Sequence, residues 1–327
     1  MRNGWPVAAV VAVALLASTA APVAAQGEAP RTAWGAPDLQ GVWDFRTITP
    51  LQRPEGLGNQ EFLTEEEAAN LEQEAVDRDV RLWEAEARRT EAGGRVGAYN
   101  NFWMDRGTNV VGTRRTSLIV DPPNGRMPPL TEEGQRRADE RRAYRAEHPA
   151  DSWLDRSSYD RCILGFNQGP PMTPGGYNQN MQLFQTEDHV VVVNEMVHDW
   201  RIFPLDGAPR PGIDSWTGES RAHWEGDTLV VETIDFSAKH NWRGTTPDRH
   251  LIEKFTRVDA ETLLYEFTVT DPGTWTASWT AQVPMRRNDL PLYEYACHEG
   301  NYSMGGILKG ARLLEDEARS AASSGGE

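Results

Sequence analysis

The second half of the chain alternates between apolar and polar residues with a period of two, which is typical of strands that bury one face. In the clearest case, residues 275, 277, 279, 281 and 283 are apolar, and the residues between them are Thr, Ser or Gln. Turn residues separate such runs at short intervals, which predicts an antiparallel meander. The predicted strands of this half cover residues 181–185, 189–203, 220–224, 228–233, 251–258, 262–270, 275–285 and 292–297.

Two shorter strands are predicted in the first half, at residues 38–45 and 116–121. This is a large number of strands for a small flat sheet, and closing the sheet into a barrel would remove its exposed edges. We therefore expect a mainly β fold, an antiparallel up-and-down barrel, with a β-sandwich as the alternative. The pair Gly41 and Trp43 is similar to the Gly-x-Trp that opens lipocalin barrels, so the expected barrel is lipocalin-like or calycin-like.

Residues 189–203 form the most unusual predicted strand, because a run of four valines continues directly into a polar stretch. In a single strand these residues would alternate between two faces. We expect one set to face the barrel interior, namely Asn194, Met196, His198, Trp200 and Ile202. The opposite set would form a charged ladder under the helices and loops, through Glu195, Asp199 and Arg201.

Two helices and one long loop complete the predicted domain. A capping box, in which Thr64 precedes Glu67 by three residues, opens a helix at about 64–89, and a second polar helix covers about 132–147. We interpret the second helix as solvated and salt-bridged rather than as a binding surface. Residues 160–176 are rich in Gly and Pro and predict a long irregular loop, which is a frequent location of function.

The first 25 residues have the features of a secretory signal peptide, with a positive charge at Arg2, an apolar run over 7–16 and small residues before a cleavage site after Ala25. The apolar run is too short to span a membrane. We expect residues 26–37 to be a flexible lead-in, residues 38–312 a single barrel domain and residues 313–327 a disordered tail. The protein would be periplasmic or secreted, with no membrane insertion after cleavage.

The mature chain would carry 32 Lys and Arg residues against 49 Asp and Glu residues. A surface with this excess of negative charge repels nucleic acids and anionic lipids, so neither is an expected partner. The chain has two cysteines, Cys162 and Cys297. In an oxidising compartment we expect them to form a disulfide, with two separate buried thiols as the alternative.

Two histidines are the candidates for acid–base chemistry, because His titrates near neutral pH and a neighbouring carboxylate tunes it. His198 is followed by Asp199, and alternation over the last predicted strand puts Glu294 and His298 on one face. Hydrogen-bonded structural roles are the alternative for these side chains. A ligand cavity would draw its walls and polar anchors from Asn194, Trp200, Arg201, Arg221, Trp224 and His240.

No motif in the sequence indicates a metal or a cofactor. A metal bound by His198 and His298, with His240 or Glu299 as the third ligand, lacks the HxH, HExxH or CxxC spacing of familiar metal sites. The sequence also lacks the glycine-rich loop of nucleotide-binding proteins and the Gly-x-Ser-x-Gly turn of serine hydrolases. We therefore expect neither a metal nor a cofactor.

Four segments together resemble a family of exported bacterial proteins, at residues 116–126, 198–201, 224–233 and 293–302. The last two read WEGDTLVVET and YEYACHEGNY, and the resemblance covers roughly residues 38–312. It implies export and indicates no particular reaction. The likeness to lipocalin-type proteins, among them two-domain hydratases acting on isoprenoids, concerns architecture, and a fold does not determine a function.

Three functions fit these observations, in the following order. The first is an exported barrel that binds a small apolar or aromatic ligand in a cavity lined by Trp and Tyr, with Arg201 or Arg221 as a polar anchor. The second is an enzyme on the same scaffold, a lyase, hydratase, isomerase or hydrolase that uses His and carboxylate groups. The third is a structural envelope protein with a filled core.

Overall fold

The computed structural model describes residues 29–85, 104–205, 207 and 209–324, so the predicted signal peptide lies outside the described residues. The described helices are α1 (Glu65–Glu84), α2 (Glu132–Glu147) and α3 (Tyr302–Ser324). The described strands are β1 (Gly41–Asp44), β2 (Ile119–Asp121), β3 (Asn180–Gln185), β4 (His189–Asn194), β5 (Trp200–Pro204), β6 (Glu219–Glu225), β7 (Thr228–Ile234), β8 (His250–Arg257), β9 (Thr262–Thr270) and β10 (Trp279–Asn288). Across these ranges, no helix combines the length and apolar character needed to cross a membrane.

The strands form one antiparallel sheet in the order β5-β4-β3-β1-β10-β9-β8-β7-β6, with β2 paired to β10 beside this path. The predicted mainly β, antiparallel fold is therefore confirmed. The path ends at β5 and β6, which do not pair with each other in the described sheet, so the predicted closed barrel is not confirmed. The two predicted N-terminal helices are confirmed as α1 and α2, and the capping box of Thr64 and Glu67 is present at the start of α1.

One face of the sheet is buried, as the period of two predicts. Along β9, every second residue is buried, and Tyr265, Phe267 and Val269 share the inner face. Trp43 of β1 and Trp279 of β10 are fully buried in the same cluster. Burying one large apolar side chain contributes roughly 1.5–3 kcal/mol, so this filled inner face is the main source of stability.

The predicted strand over residues 189–203 is wrong, because the chain turns back in its middle. A short 3-10 turn at Met196–His198 separates β4 from β5, and the two strands pair as a hairpin. Val197 and His198 adopt positive φ angles of 62° and 57°, which no strand residue adopts. The turn shifts the alternation by one residue. Even-numbered residues are buried in β4, whereas odd-numbered residues are buried in β5.

The parity change reverses the predicted orientation of β5. Asn194 is buried, as expected, whereas Trp200 and Ile202 are exposed. Arg201 and Phe203 lie in the core instead. The predicted ladder of Glu195, Asp199 and Arg201 on the outer face is therefore wrong.

A buried ion pair occupies the place that apolar side chains would otherwise fill in the core. Arg201 of β5 makes two hydrogen bonds to Glu253 of β8, at 2.6 and 3.0 Å. The hydroxyl of Tyr265 donates to the same carboxylate at 2.7 Å. Arg201 also donates to Ser220 of β6 at 3.2 Å and to Thr233 at 3.1 Å. Side chains of the two edge strands therefore meet although their backbones do not pair.

The C-terminal segment departs most from the predicted pattern. Residues 292–297 form no strand and none of them is buried, so the prediction of a strand there is wrong. The helix α3 follows and includes residues 313–324, which the sequence assigned to a disordered tail. The predicted disulfide is confirmed and joins Cys162 to Cys297.

Candidate functional site

The four predicted catalytic residues are not brought together. His198 is exposed in the turn between β4 and β5, and Glu294 and His298 are exposed in the segment before α3. Asp199 is half-buried and accepts a hydrogen bond from Gln168 at 2.7 Å, while burial raises the pKa of its carboxyl. In the described part of the chain, no hydrogen bond or ion pair joins any two of the four. Acid–base catalysis by these groups stays a prediction without a supporting contact.

The six predicted ligand-binding residues do not surround one cavity. Arg201 belongs to the core ion pair, and Trp200 is 59% exposed on the outer face of β5. Arg221 forms an ion pair with Glu219 near the surface. The other three are buried or half-buried at separate places, Asn194 at the end of β4, Trp224 in β6 and His240 in the loop after β7.

His240 lines a pocket of about 490 Å³ that lies outside the core, between α2, residues 154–166 and residues 239–243. We call it the basic pocket, because six of its lining residues are basic and one is acidic. The basic residues are Arg141, Arg145, Arg156, Arg161, Lys239 and Arg243, and the acidic residue is Asp155. The chain as a whole has a net charge of −16. The pocket therefore has the opposite sign to the molecule around it.

The helix α2 supplies one wall through arginines spaced four residues apart. Arg137, Arg141 and Arg145 share a face of the helix, because residues at i and i+4 are neighbours on its surface. Arg137 fixes this face against the loop between β9 and β10 by donating to the carbonyl of Gly273 at 2.9 Å and to the hydroxyl of Thr274 at 3.0 Å. The arginines that follow on this face reach the basic pocket. The interpretation of α2 as a salt-bridged surface is correct for one face and incomplete for this one.

Arg141 is held in an electrostatically unfavourable position. Burial and the neighbouring charges of Arg145 and Arg137 lower the pKa of its guanidinium. It donates to the side-chain oxygen of Asn241 and has no ion pair with a described carboxylate. By contrast, Arg136 on the opposite face pairs with both Glu133 and Glu140. On the face toward the pocket, Arg137 also pairs with Glu133, at 3.3 Å, whereas Arg141 and Arg145 have no ion pair with a described carboxylate.

Residues 239–243 form the second wall, and an aromatic stack fixes them on the core. Trp242 stacks on the buried Trp279 with ring centroids 6.0 Å apart and planes 15° from parallel. Arg243 follows with a φ of 51°, a left-handed conformation that is costly for a residue with a side chain. The Arg243 guanidinium lies 5.3 Å from the Trp242 ring. Loss of contact with water lowers the pKa of this guanidinium. A strained backbone at a residue that lines a pocket is a frequent mark of a functional site.

His240 and Arg249, which are both buried, anchor residues 239–243 to the protein interior. The buried Arg249 donates to Nδ1 of His240 at 3.0 Å and to the hydroxyl of Thr245 at 2.7 Å. Burial and the charge of Arg249 lower the pKa of His240 to about 4. Burial lowers the pKa of Arg249 to about 9. His240 is thus a neutral, hydrogen-bonded support of the pocket.

Residues 154–166 form the third wall, which the disulfide connects to the C-terminal segment. Arg161 lies over two aromatic rings, 4.7 Å from Trp153 and 5.7 Å from Trp216. The next residue, Cys162, is covalently bound to Cys297. Asn301 adds a hydrogen bond to the carbonyl of Asp160 at 2.9 Å. Ring contacts of Arg161, the disulfide and the Asn301 hydrogen bond therefore hold this part of the predicted long loop in place.

A larger cavity of about 1040 Å³ lies between α1 and residues 48–57. Its lining is mostly apolar, and its charges are balanced. The three basic residues are Arg78, Arg81 and Arg115, and the three acidic ones are Glu67, Glu74 and Asp77. Arg115 also pairs with Glu61 at 2.9 Å. The cavity therefore lacks the uncompensated charge that distinguishes the basic pocket.

Comparisons with other proteins add no assignment. Neither protein-family models nor curated proteins give a significant match to this chain. The resemblance to a family of exported bacterial proteins therefore stays a prediction. Within the residues that the structure describes, no group of three or more His, Cys, Asp or Glu side chains is arranged to hold a metal ion.

Proposed function

We propose that this protein binds a small organic anion in the basic pocket. One observation carries the proposal: four arginines that line the pocket have no carboxylate partner among the described residues, namely Arg141, Arg145, Arg161 and Arg243. Other arginines of the same region, such as Arg156, are paired with acids. The chain has more acidic than basic residues, yet within the described ranges no carboxylate pairs with any of these four arginines.

An anion would relieve the repulsion within this cluster. Guanidinium groups bind carboxylate and phosphate through paired, charge-assisted hydrogen bonds, which are about twice as strong as neutral ones. A volume of about 490 Å³ is within the usual range for a small-molecule site. Trp242 and Phe166 give the pocket an aromatic surface for the body of the ligand. The proposal retains the idea of an arginine anchor beside an aromatic wall, but in a different pocket and with other arginines than Arg201 or Arg221.

Two further proposals concern the setting of this site. We infer that the protein is exported, because the Cys162–Cys297 disulfide is stable in an oxidising compartment and uncommon in a reducing one. We also infer that the sheet curves into an incomplete barrel. The hydrogen bond between Arg201 of β5 and Ser220 of β6 supports this, since it joins side chains of the two ends of the strand path.

The binding proposal is tested with variants of two pocket arginines, one on α2 and one in residues 239–243, and of a control arginine on α2. Isothermal titration with malonate, citrate and phosphate is run on the wild type, Arg141→Gln, Arg243→Gln and Arg136→Gln. We expect Arg141→Gln and Arg243→Gln to weaken binding by about tenfold or more, since each removes a charge-assisted contact. Arg136→Gln removes an arginine that is already paired and should bind like the wild type. No binding by the wild type, or equal losses in all three variants, would contradict the proposal.

A further inference from the structure

The basic pocket carries more unpaired charge than one monovalent anion can compensate. Five of its six basic lining residues have no carboxylate partner among the described residues, namely Arg141, Arg145, Arg161, Lys239 and Arg243. The acidic lining residue, Asp155, accepts hydrogen bonds from the hydroxyl of Tyr144 at 2.9 Å and from the amide of Ser152 at 2.7 Å. A single carboxylate would leave most of the five charges in mutual repulsion. Charge balance therefore favours a ligand with two or more anionic groups.

Arg141 and Arg243 lie on the same side of the basic pocket. The side-chain oxygen of Asn241 accepts a hydrogen bond from Arg141 of α2, and it accepts another from the amide of Gly244 at 2.9 Å. These bonds tie α2 to the segment that carries Arg243. Arg141 and Arg243 also both line a neighbouring groove of about 430 Å³, whereas Arg161 does not. Arg161 therefore belongs to a different part of the pocket.

The guanidinium of Arg161 is held in position with its donors unused. It lies over the rings of Trp153 and Trp216, at 4.7 and 5.7 Å. Contact with rings occupies the faces of a guanidinium and leaves the N–H groups in its plane able to donate. Among the described residues, no carboxylate or other acceptor takes a hydrogen bond from them. By contrast, Arg156 on the same wall pairs with Asp160 at 3.1 Å.

We propose that the ligand is an elongated organic dianion, with one anionic group at Arg141 and Arg243 and the other at Arg161. This inference rests on the proposed binding of anions in the basic pocket and adds the number and placement of the charged groups. A cavity of roughly 150 Å³ holds one benzene molecule, so about 490 Å³ has room for a dicarboxylate of about ten to twelve heavy atoms. Trp242 and Phe166 line the same pocket and offer apolar contact to the chain that joins the two groups.

The test compares anions of equal chain length that carry one or two carboxylates. Affinities are measured by isothermal titration for heptanoate and pimelate, with malonate as a short dianion. We expect pimelate to bind about tenfold or more tightly than heptanoate, since its second carboxylate gains charge-assisted hydrogen bonds from Arg161. Arg161→Gln should abolish this gain and change the affinities for heptanoate and malonate by less than about threefold. Arg156→Gln, on the same wall, removes an arginine that is already paired and should retain the gain.

The possible results separate this inference from the proposed function. Binding of malonate with no gain from heptanoate to pimelate would overturn the inference and leave the anion site intact. No binding of any of the three anions would overturn both. Arg161→Met keeps a linear side chain against the two tryptophan rings, so it replaces Arg161→Gln if that variant does not fold. A full gain in a folded Arg161 variant, or an equal loss of the gain in Arg156→Gln, would also overturn the inference.

Discussion

At the residue scale, Arg201 and Glu253 form an ion pair with only 4% and 0% of their side chains exposed. Each charge depends on the other, because a buried charge without a partner is strongly unfavourable. We predict that Glu253→Gln lowers the free energy of unfolding by about 3–5 kcal/mol, measured by urea denaturation. Burial, followed by the charge of Glu253, raises the pKa of Tyr265, so that its phenol remains a donor to this pair.

The control is a similar pair on a solvated part of the sheet. Arg210 and Glu232 approach to 2.7 Å, and 17% and 45% of their side chains are exposed. The other carboxylate oxygen of Glu232 lies 2.7 Å from Nε2 of His250, so the variant changes this contact as well. Solvent screens such a pair, so Glu232→Gln should change the free energy of unfolding by less than about 1 kcal/mol. Similar losses in the two variants would show that burial does not determine how much the free energy of unfolding depends on an ion pair.

The lowered pKa of His240 predicts that the protein loses stability in mild acid. This pKa falls from 6.5 to about 4 on folding, so the unfolded chain binds more protons than the folded protein between these values. The stabilisation is complete above pH 6.5 and is lost as the pH falls toward 4. The total is roughly 3 kcal/mol, from about 1.4 kcal/mol for each pH unit of the difference.

The His240 prediction is measured by urea denaturation at pH 7 and pH 4 in the wild type and in His240→Gln. Glutamine can accept from Arg249 and does not titrate, so the variant keeps the hydrogen bond and loses the pH response. We expect the wild type to lose roughly 3 kcal/mol more than His240→Gln between the two pH values. Parallel losses in both proteins would contradict the assignment of a depressed pKa to His240.

At the element scale, the turn between β4 and β5 contains a valine in a conformation that favours glycine. Val197 has a φ of 62°, which costs a residue with a side chain about 1–2 kcal/mol, while glycine costs about 0.5–1 kcal/mol in chain entropy. We therefore predict that Val197→Gly raises the free energy of unfolding by about 0.5–1 kcal/mol in urea denaturation. Val193→Gly, in the regular part of β4, should lower it. Destabilisation by both would contradict the assignment of strain to Val197.

The same turn explains how far the sequence could predict this element. Alternation identified β9 correctly, and it identified the inner face of β10 from Trp279 onward. The first part of the predicted run, residues 275–278, precedes β10, and Ala277 is exposed there. In residues 189–203 the apolar run and the polar run also fit one alternating strand, and no Gly or Pro marked the break. The turn uses Val197 and His198 at positive φ, so local propensity gave no signal for it. The inward position of Arg201 could not be predicted without knowing that the turn shifts the alternation by one residue.

The candidate site was missed for a related reason. Arginines at 137, 141 and 145 are spaced to share one helix face, and this signal was present in the sequence. It did not distinguish a salt-bridged surface from a binding wall, because the acids of α2 are adequate partners for arginines. That distinction depends on residues 154–166 and 239–243, which reach α2 only in the folded chain.

At the scale of the whole molecule, a basic pocket lies in a protein whose net charge is strongly negative. The net charge of −16 predicts weak affinity for polyanions such as nucleic acids, and the basic pocket does not alter this expectation. A long polyanion would contact the acidic surface as well as the pocket, whereas a small anion enters the pocket alone. Salt screens interactions beyond about 10 Å at 0.1 M, so the acidic surroundings affect the approach of a ligand more than its bound state. The charge pattern therefore favours small anions over large ones.

The Cys162–Cys297 disulfide connects the wall of the basic pocket to the segment before α3 across 135 residues. In the chain-entropy model, closing a loop of this length stabilises the folded state by about 5 kcal/mol, because it restricts the unfolded chain. We predict that reduction lowers the free energy of unfolding by up to about 5 kcal/mol in urea denaturation with and without reductant. The double variant Cys162→Ser with Cys297→Ser should match the reduced wild type and be insensitive to reductant. An unchanged midpoint on reduction would contradict a constraint on the unfolded chain. A loss in wild type well beyond that of the double variant would indicate that reductant acts elsewhere.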